Sequence, residues 1–149
     1  MTTEADARAA GPAAFSLSLR VPPDPRFARS VRSAIEGFAR LHHVNAYDVE
    51  PLLCAVGEAL ANAIEHASTS DDLEIEATID NDEITATVTD RGRGLPAIPT
   101  TDVPLPRLLN ERGRGIAIMQ RCTDLFEMQS EPGHGTSVRL ARFRTARGV

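Results

Sequence analysis

The sequence contains no lysine, so arginine supplies every positive side chain other than histidine. A P-loop needs a lysine directly after its second glycine, and this chain therefore carries no P-loop. Schiff-base chemistry and lysine general-base chemistry are excluded for the same reason. The formal net charge of −5 argues against nonspecific binding to nucleic acid, because such binding needs a basic surface.

Cysteine and long apolar runs are also scarce. The two cysteines, Cys54 and Cys122, each lie in a helical pattern, and we interpret both as free buried thiols. Their spacing fits neither a metal site nor a disulfide framework. No apolar run approaches the length of a transmembrane helix, and the N-terminus lacks the apolar region of a signal peptide. We therefore expect a soluble cytoplasmic protein that has no membrane partner.

The chain length of 149 residues is suited to one domain with its own hydrophobic core. We expect a disordered segment over residues 1–14, because alanine, glycine and proline dominate there. The domain itself is predicted over residues 15–143, and residues 144–149 form a basic tail. Residues 96–106, rich in proline and threonine, are long for a connector, which indicates a functional loop or lid.

Alternation of apolar and polar residues predicts five strands. They cover residues 15–21, 73–79, 84–88, 125–130 and 136–143. A first helix is predicted from Asp24 to about residue 42, and a central helix begins with Asn45 or Asp48 as its cap. A third helix is expected from residue 116 to about residue 122.

This order of elements predicts an α/β (α+β) two-layer sandwich, with a mostly antiparallel sheet and helices on one face. The first strand precedes any obvious hairpin partner, so it is a candidate for a sheet edge or an interface.

The central helix carries an unusual polar face. Glu58 and Asn62 are four residues apart, so their side chains stack on one side of the helix. Small residues flank them where a surface helix usually carries long charged side chains. This face is therefore either the solvated side of an amphipathic helix or part of a functional site.

Two glycine-rich segments favour the functional interpretation. Asp90 ends a predicted strand, and a carboxylate there can accept a hydrogen bond from an exocyclic amine such as that of adenine. Gly92 and Gly94 follow, and glycine permits a close approach of the backbone to a ligand. A tight turn after a hairpin strand would carry the same residues, so the segment alone leaves both interpretations open.

The second glycine-rich segment precedes the third predicted helix. Backbone amides at a helix N-terminus can bind phosphate, and Arg112 and Arg114 could neutralise its charge. The side-chain oxygen of Asn62 suits a Mg²⁺ ion that already carries phosphate oxygens. From the residues alone, His66 and His134 are interpreted as structural or exposed, and Gly133 and Gly135 as hairpin glycines.

Taken together, the order and spacing of four motifs resemble the N, G1, G2 and terminal Gly-Thr boxes of the GHKL (histidine-kinase-like) ATPase superfamily. The motifs are Glu58-x-x-x-Asn62-x-x-x-His66, Asp90-x-Gly92-x-Gly94, Gly113-x-Gly115 and Gly135-Thr136. Within that superfamily, the chain is similar to the anti-sigma factor serine-protein kinases of the SpoIIAB/RsbW type. The resemblance covers residues 15–143.

This resemblance implies a site for ATP or ADP with Mg²⁺. Asn62 would hold the metal, Asp90 would bind the adenine amine, and Glu58 would be the general base that accepts the proton of the substrate serine. The other nucleotide-binding positions that it implies are His66, Gly92, Gly94, Arg112, Gly113, Arg114, Gly115 and Thr136.

The resemblance also implies partners: a sigma factor, an anti-sigma factor antagonist whose serine is phosphorylated, and a second copy of the chain in a homodimer. Two alternatives stay open, namely a switch kinase of the same fold in another signalling cascade and a nonenzymatic ATP-gated binding module. Glu58 favours the enzymes, because a binding module has no use for a base beside the metal ligand. Glu58 could instead be a structural partner of the arginines at the third helix.

Overall fold

A computed structural model describes residues 14–66, 71–92 and 111–145, with side chains at all of these except Glu111 and Arg112. The helices and strands follow the predicted order. They are β1 (Phe15–Val21), α1 (Ala28–Leu41), α2 (Ala46–His66), β2 (Leu73–Ile79), β3 (Glu83–Asp90), α3 (Glu111–Cys122), β4 (Leu125–Glu131) and β5 (Gly135–Phe143). A 3-10 turn, Pro25–Phe27, leads into α1. Asp24 caps this turn, as predicted, because its side chain accepts a hydrogen bond from the Arg26 N–H at 2.9 Å.

All five strands form one antiparallel sheet in the order β1-β2-β3-β5-β4. Apolar side chains of alternate residues face the helices, and those of β2 are all buried. The outer face carries hydroxyl and charged side chains, among them Ser18, Glu76 and Thr87, which line a depression of ≈ 390 Å³. One apolar face and one polar face are typical of an antiparallel sheet covered on one side, so the predicted two-layer fold is confirmed.

The central helix, α2, carries most of the helical part of the core. Its buried apolar residues repeat at helical spacing. Ala59, one of the small residues that were expected to flank the polar face, lies in the core instead. The set is Val49, Leu52, Ala55, Val56, Ala59, Leu60 and Ala63. Asn45 is the N-cap, because its side chain accepts a hydrogen bond from the Tyr47 N–H at 3.0 Å. Asp48, the other candidate, is a buried residue of the first turn.

Several expectations need correction or fall outside the described residues. The third helix begins at Glu111 rather than at residue 116, so its two glycines are helical. Cys54 is exposed rather than buried, and Cys122 is half-buried. Of the predicted basic tail, residues 144 and 145 are described, and the Arg144 guanidinium donates to the Asp80 carbonyl at 2.7 Å. Outside the described residues lie 1–13, 146–149, Gly94 and the whole of 96–106.

The first strand has a partner within the chain. β1 pairs with β2 along its full length and forms one edge of the sheet. Among the helices that the structure describes, none is long and apolar enough to cross a membrane.

Candidate functional site

Asp90 is the last residue of β3, and its side chain turns towards the helical layer, where it is only 5% exposed. The Gly92 N–H donates to its Oδ1 atom at 2.9 Å, and the Thr136 N–H also donates to this carboxylate. Burial raises the pKa of the Asp90 carboxyl above its ordinary value, against the opposing effects of these amides and of the nearby charge of His66. A ligand donor would therefore stabilise an ionised group that the fold alone disfavours.

Gly92 allows the turn after β3 to touch the end of α2. A Cβ atom built on Gly92 would lie 2.4 Å from the carbonyl oxygen of His66, the last residue of α2. No side chain fits in that space, so glycine is required for contact rather than for an unusual φ angle. The structure therefore brings together His66 of the first motif and Asp90 and Gly92 of the second.

Gly135 was interpreted from the residues as a hairpin glycine, but its position is as restrictive as that of Gly92. Its φ angle is +96°, and a Cβ atom there would lie 2.1 Å from the carbonyl oxygen of Asp90. The neighbouring Thr136 is buried and lies opposite Asp90 in the pairing of β3 with β5. Its hydroxyl is 2.9 Å from that of Ser130, its partner across the β4–β5 hairpin. Sequence reasoning missed this contact, although Gly133 and Gly135 were interpreted as hairpin glycines.

The other end of the site is a recess of ≈ 120 Å³ between α2 and α3. It is lined by Glu58, Ala61, Asn62, Glu65, Arg114, Gly115, Ile116 and Met119. A Cβ atom at Gly115 would come within 3.0 Å of Glu58 Oε2, so the carboxylate lies against the glycine backbone. The recess thus joins the polar residues of the first motif to the third motif. Glu65 was not among the predicted site residues, although it shares the recess with Glu58 and Asn62.

The second glycine pair lies inside the first turns of α3 rather than before the helix. An α-helix leaves its first four N–H groups without partners, so the amides from Glu111 to Arg114 remain available to an anion. The amide of Gly115 lies beyond those four, and this residue contributes space for the Glu58 carboxylate instead. Arg114 is exposed at the recess, while the side chain of Arg112 is outside the described part of the structure.

A family of known proteins matches the sequence over most of its length. Residues 21–142 match the sequence model of the histidine kinase-like ATPase domain, which is most of the chain. The chain belongs to the histidine kinase-like ATPase family. The GHKL resemblance inferred from the four motifs is therefore confirmed, and the family's sequence match begins at the end of β1 and ends within β5.

Within the family, the chain is similar to two anti-sigma F factors over most of their length. An anti-sigma F factor from Thermoanaerobacter is 35% identical over 122 residues, which cover 78% of this chain and 83% of the relative. One from Clostridium perfringens is 34% identical over 123 residues, covering 72% of this chain and 86% of the relative. Among known structures, RsbU and RsbW domains from Mycobacterium tuberculosis share the fold with a TM-score of 0.67 at 20% identity, over 91% of this chain and 34% of that one.

Proposed function

We propose that this ATPase domain is an anti-sigma factor and kinase, which transfers the γ-phosphate of Mg·ATP to a serine of an anti-sigma factor antagonist. The observation that carries the proposal is the alignment of the motifs along α2. His66 meets Gly92 and Asp90 at one end, and Glu58 meets Gly115 nearer the middle of the helix. Eight residues of helix span ~12 Å, a length that ATP can bridge from adenine to its terminal phosphate.

Asp90 is the residue proposed to bind the base. Its carboxylate is buried, accepts two backbone amides and is desolvated enough to raise its pKa. The exocyclic amine of adenine would donate to this carboxylate, whereas guanine carries a carbonyl at the equivalent position and would leave it facing another acceptor. Thr136, whose hydroxyl is already oriented by Ser130, lies beside Asp90 and is proposed to contact the same base.

The recess between α2 and α3 is proposed to receive the phosphates. Asn62 offers a neutral oxygen there, which suits Mg²⁺ held mainly by phosphate oxygens. Arg114 at the same recess can neutralise phosphate charge, and the free amides of the first turn of α3 can donate to it. When bound, the metal would neutralise charge on the transferring phosphoryl group.

Glu58 is proposed to be the general base. Its carboxylate lies one helical turn before Asn62 and faces the start of α3, where the γ-phosphate would be held. A serine hydroxyl that approaches this phosphate in line with its leaving oxygen would pass its proton to Glu58. The relatives named anti-sigma F factor support the proposed partners, an anti-sigma factor antagonist and a sigma factor.

Replacement of Glu58 tests the catalytic assignment. Glu58→Gln preserves the shape of the side chain but removes its basic oxygen, so phosphate transfer should fall by ~10²–10⁴-fold while ATP affinity stays near that of the wild type. Glu65→Gln is the matched control, because Glu65 is a second carboxylate of α2 in the same recess. The measurement is transfer of labelled phosphate to protein captured from the native cell, with the modified serine identified by peptide mapping.

The outcomes separate the alternatives. If Glu58→Gln transfers phosphate at the wild-type rate, Glu58 is not the base. If it loses ATP affinity or thermal stability instead, Glu58 is a structural partner of Arg114 or of the start of α3. A wild type that binds ATP, captures partners and phosphorylates none of them would favour the nonenzymatic module. Transfer without capture of a sigma factor would favour a switch kinase.

We also propose that the chain forms a homodimer through its first strand or first helix. β1 is an edge strand, and its first residue, Phe15, is 45% exposed and stacks on His42 with ring centroids 4.0 Å apart. Among the strands that the structure describes, β2 is the only one that pairs with β1, so the other edge of β1 is unpaired there. Such an edge with an exposed aromatic end is suited to pairing with a second copy. Light scattering at micromolar concentration should give twice the chain mass, and a monomer mass would refute the dimer without affecting the kinase assignment.

A further inference from the structure

The two cysteines are neighbours, although 67 positions separate them in the sequence. Cys54 lies on α2 one turn before Glu58, and Cys122 is the last residue of α3. The two thiols are in hydrogen-bonding contact. Cys54 is exposed, whereas Cys122 is half-buried against the hydrophobic core.

The cysteine pair connects the two helices that form the recess. Further along the same helices, the Glu58 carboxylate lies against Gly115. The path from this contact to the thiols runs backward along α2 and forward along α3, as expected for two helices that pack in opposite directions. A bond between the thiols would therefore link both walls of the recess at the end of α3.

We propose that Cys54 and Cys122 form a reversible intramolecular disulfide in the presence of a low-molecular-weight disulfide such as oxidised glutathione, and that this bond slows nucleotide exchange. The first half concerns the thiols alone. The second half rests on the proposed nucleotide site, because it assumes that ATP enters and leaves between α2 and α3. Disulfides in cytosolic proteins are usually transient and redox-sensing, which suits a pair that is reduced at rest.

The reaction consists of two thiol–disulfide exchanges. The exposed Cys54, as a thiolate, attacks one sulfur of oxidised glutathione and forms a mixed disulfide, which releases one glutathione thiolate. Cys122 then loses its proton and attacks the Cys54 sulfur, which releases the second glutathione. Two protein thiols are oxidised, and one glutathione disulfide is reduced to two thiols. Cys54 is the exposed thiol of the pair and therefore meets the glutathione first. Burial, and next the neighbouring Cys54, raise the pKa of the Cys122 thiol, which disfavours Cys122 as the first nucleophile.

The effect on exchange follows from the geometry of a disulfide. Bonded cysteines keep their Cα atoms within about 7 Å of each other, so the end of α3 could not move away from α2. The recess measures only ≈ 120 Å³. The proposal assumes that α2 and α3 separate when the phosphates of a nucleotide enter or leave it. The disulfide should therefore slow association and release together.

The test treats the full chain with oxidised glutathione and maps its peptides without reduction. We expect one peptide pair joined through Cys54 and Cys122, in protein that migrates with the mass of one chain under denaturing, non-reducing conditions. Dithiothreitol should reverse the bond. Cys54→Ser should form no such bond. Release of a fluorescent ADP analogue should slow by at least ~10-fold in the oxidised wild type, which is about 1.4 kcal/mol on the barrier, and should be unaffected by oxidant in Cys54→Ser.

Each half of the proposal can fail separately. Glutathione mixed disulfides alone, or disulfides between two chains, would overturn the pairing. A Cys54–Cys122 bond that leaves the release rate unchanged would overturn the effect on exchange. If the bond forms but the reduced wild type binds no nucleotide, the proposed function fails while the thiol pair stands.

Discussion

The buried aspartates Asp48 and Asp90 lie near opposite ends of the β3–β5 pair. They differ in which groups of the fold stabilise their carboxylates. Asp48 is 1% exposed and accepts hydrogen bonds from the Thr145 N–H at 2.7 Å and the Thr145 hydroxyl at 2.8 Å. The Arg142 guanidinium lies 3.4 Å from the same carboxylate. Asp90, at the other end, is held by backbone amides, and burial still raises its pKa. The first carboxylate is satisfied by the fold, whereas the second keeps capacity for a ligand.

The largest loss of stability is expected at Gly135, which lies against the backbone of Asp90. Gly135→Ala would place a Cβ atom 2.1 Å from the Asp90 carbonyl oxygen and force β5 away from β3, so the free energy of unfolding should fall by more than ~4 kcal/mol. Gly133→Ala is the matched control, because its φ of +84° is also positive but no atom lies within 4 Å of its Cβ position. It should lose only ~1–2 kcal/mol from backbone strain. Equal losses in urea denaturation would show that strain, rather than contact, decides both positions.

At the end of the β3–β5 pair near Asp48, Asp48→Ala should destabilise the fold without affecting the proposed nucleotide site. It leaves Arg142, which is only 23% exposed, without its nearest carboxylate, and removes the acceptor for Thr145. Loss of one member of a buried ion pair costs ~3 kcal/mol or more. Urea denaturation measures this loss, and calorimetry below the unfolding temperature should give wild-type ATP affinity. Weak ATP binding by a folded Asp48→Ala protein would contradict the division between the two ends.

For Asp90→Asn, ATP affinity rather than the stability of the fold should be lowered. A hydrogen bond to a charged group contributes ~1.5–3 kcal/mol, so ATP affinity should fall by at least ~10-fold and the preference for ATP over GTP should weaken. Asn62→Ala should weaken binding mainly when Mg²⁺ is present. Calorimetry with ATP, GTP and EDTA separates these effects. Failure of the wild type to bind ATP would refute the whole nucleotide assignment.

The pH dependence of stability tests whether the pKa of Asp90 is raised in the folded protein. Because the pKa of Asp90 is raised in the folded state, its contribution is most favourable when it is protonated and is lost as the pH rises through the folded pKa. Without nucleotide, the wild type should therefore lose stability relative to Asp90→Asn as the pH rises above about 4, the ordinary pKa of an aspartate, and through the folded pKa of Asp90. A difference that is constant with pH would show that the folded pKa of Asp90 is ordinary.

The smallest effect is expected at Ser130, which acts through Thr136. Ser130→Ala removes the hydroxyl 2.9 Å from the Thr136 hydroxyl, so ATP affinity should fall by roughly 2–10-fold for a loss of ~0.5–1.5 kcal/mol. Thermal stability should change little. Ser130→Thr keeps the hydroxyl and should restore affinity if orientation of Thr136 is the cause, whereas a general packing defect would not be rescued.

The sequence was sufficient where the decisive interactions are local. Alternation and helical spacing predicted the elements in order. The cap of the 3-10 turn before α1 was identified at Asp24 because its partner, Arg26, is two residues away. The start of α2 was ambiguous because Asp48 has the chemistry of a cap, but its partner Thr145 is 97 residues away. Local pattern carries no information about such a contact.

The spacing of the motifs singled out Glu58, Asn62 and Asp90 as candidate site residues, and their roles stay predictions. The geometry of the site could not be predicted in the same way. The closeness of Gly135 to Asp90, and the contact of Cys54 with Cys122, depend on which strands and helices become neighbours. The insertion of β5 between β3 and β4 decides the first of these, and no periodicity in the chain specifies that order.

This strand order also has a consequence for the newly synthesised chain. β3 pairs with β5, which follows it by some fifty residues, rather than with β4. A ribosome releases the segment that carries Asp90 well before it releases Gly135 and Thr136. Contacts between such distant segments form late, because the intervening loop must first be closed at a cost in entropy. The end of the proposed site that carries Asp90 can therefore assemble only after β5 has emerged, so an incomplete chain would lack the proposed nucleotide site.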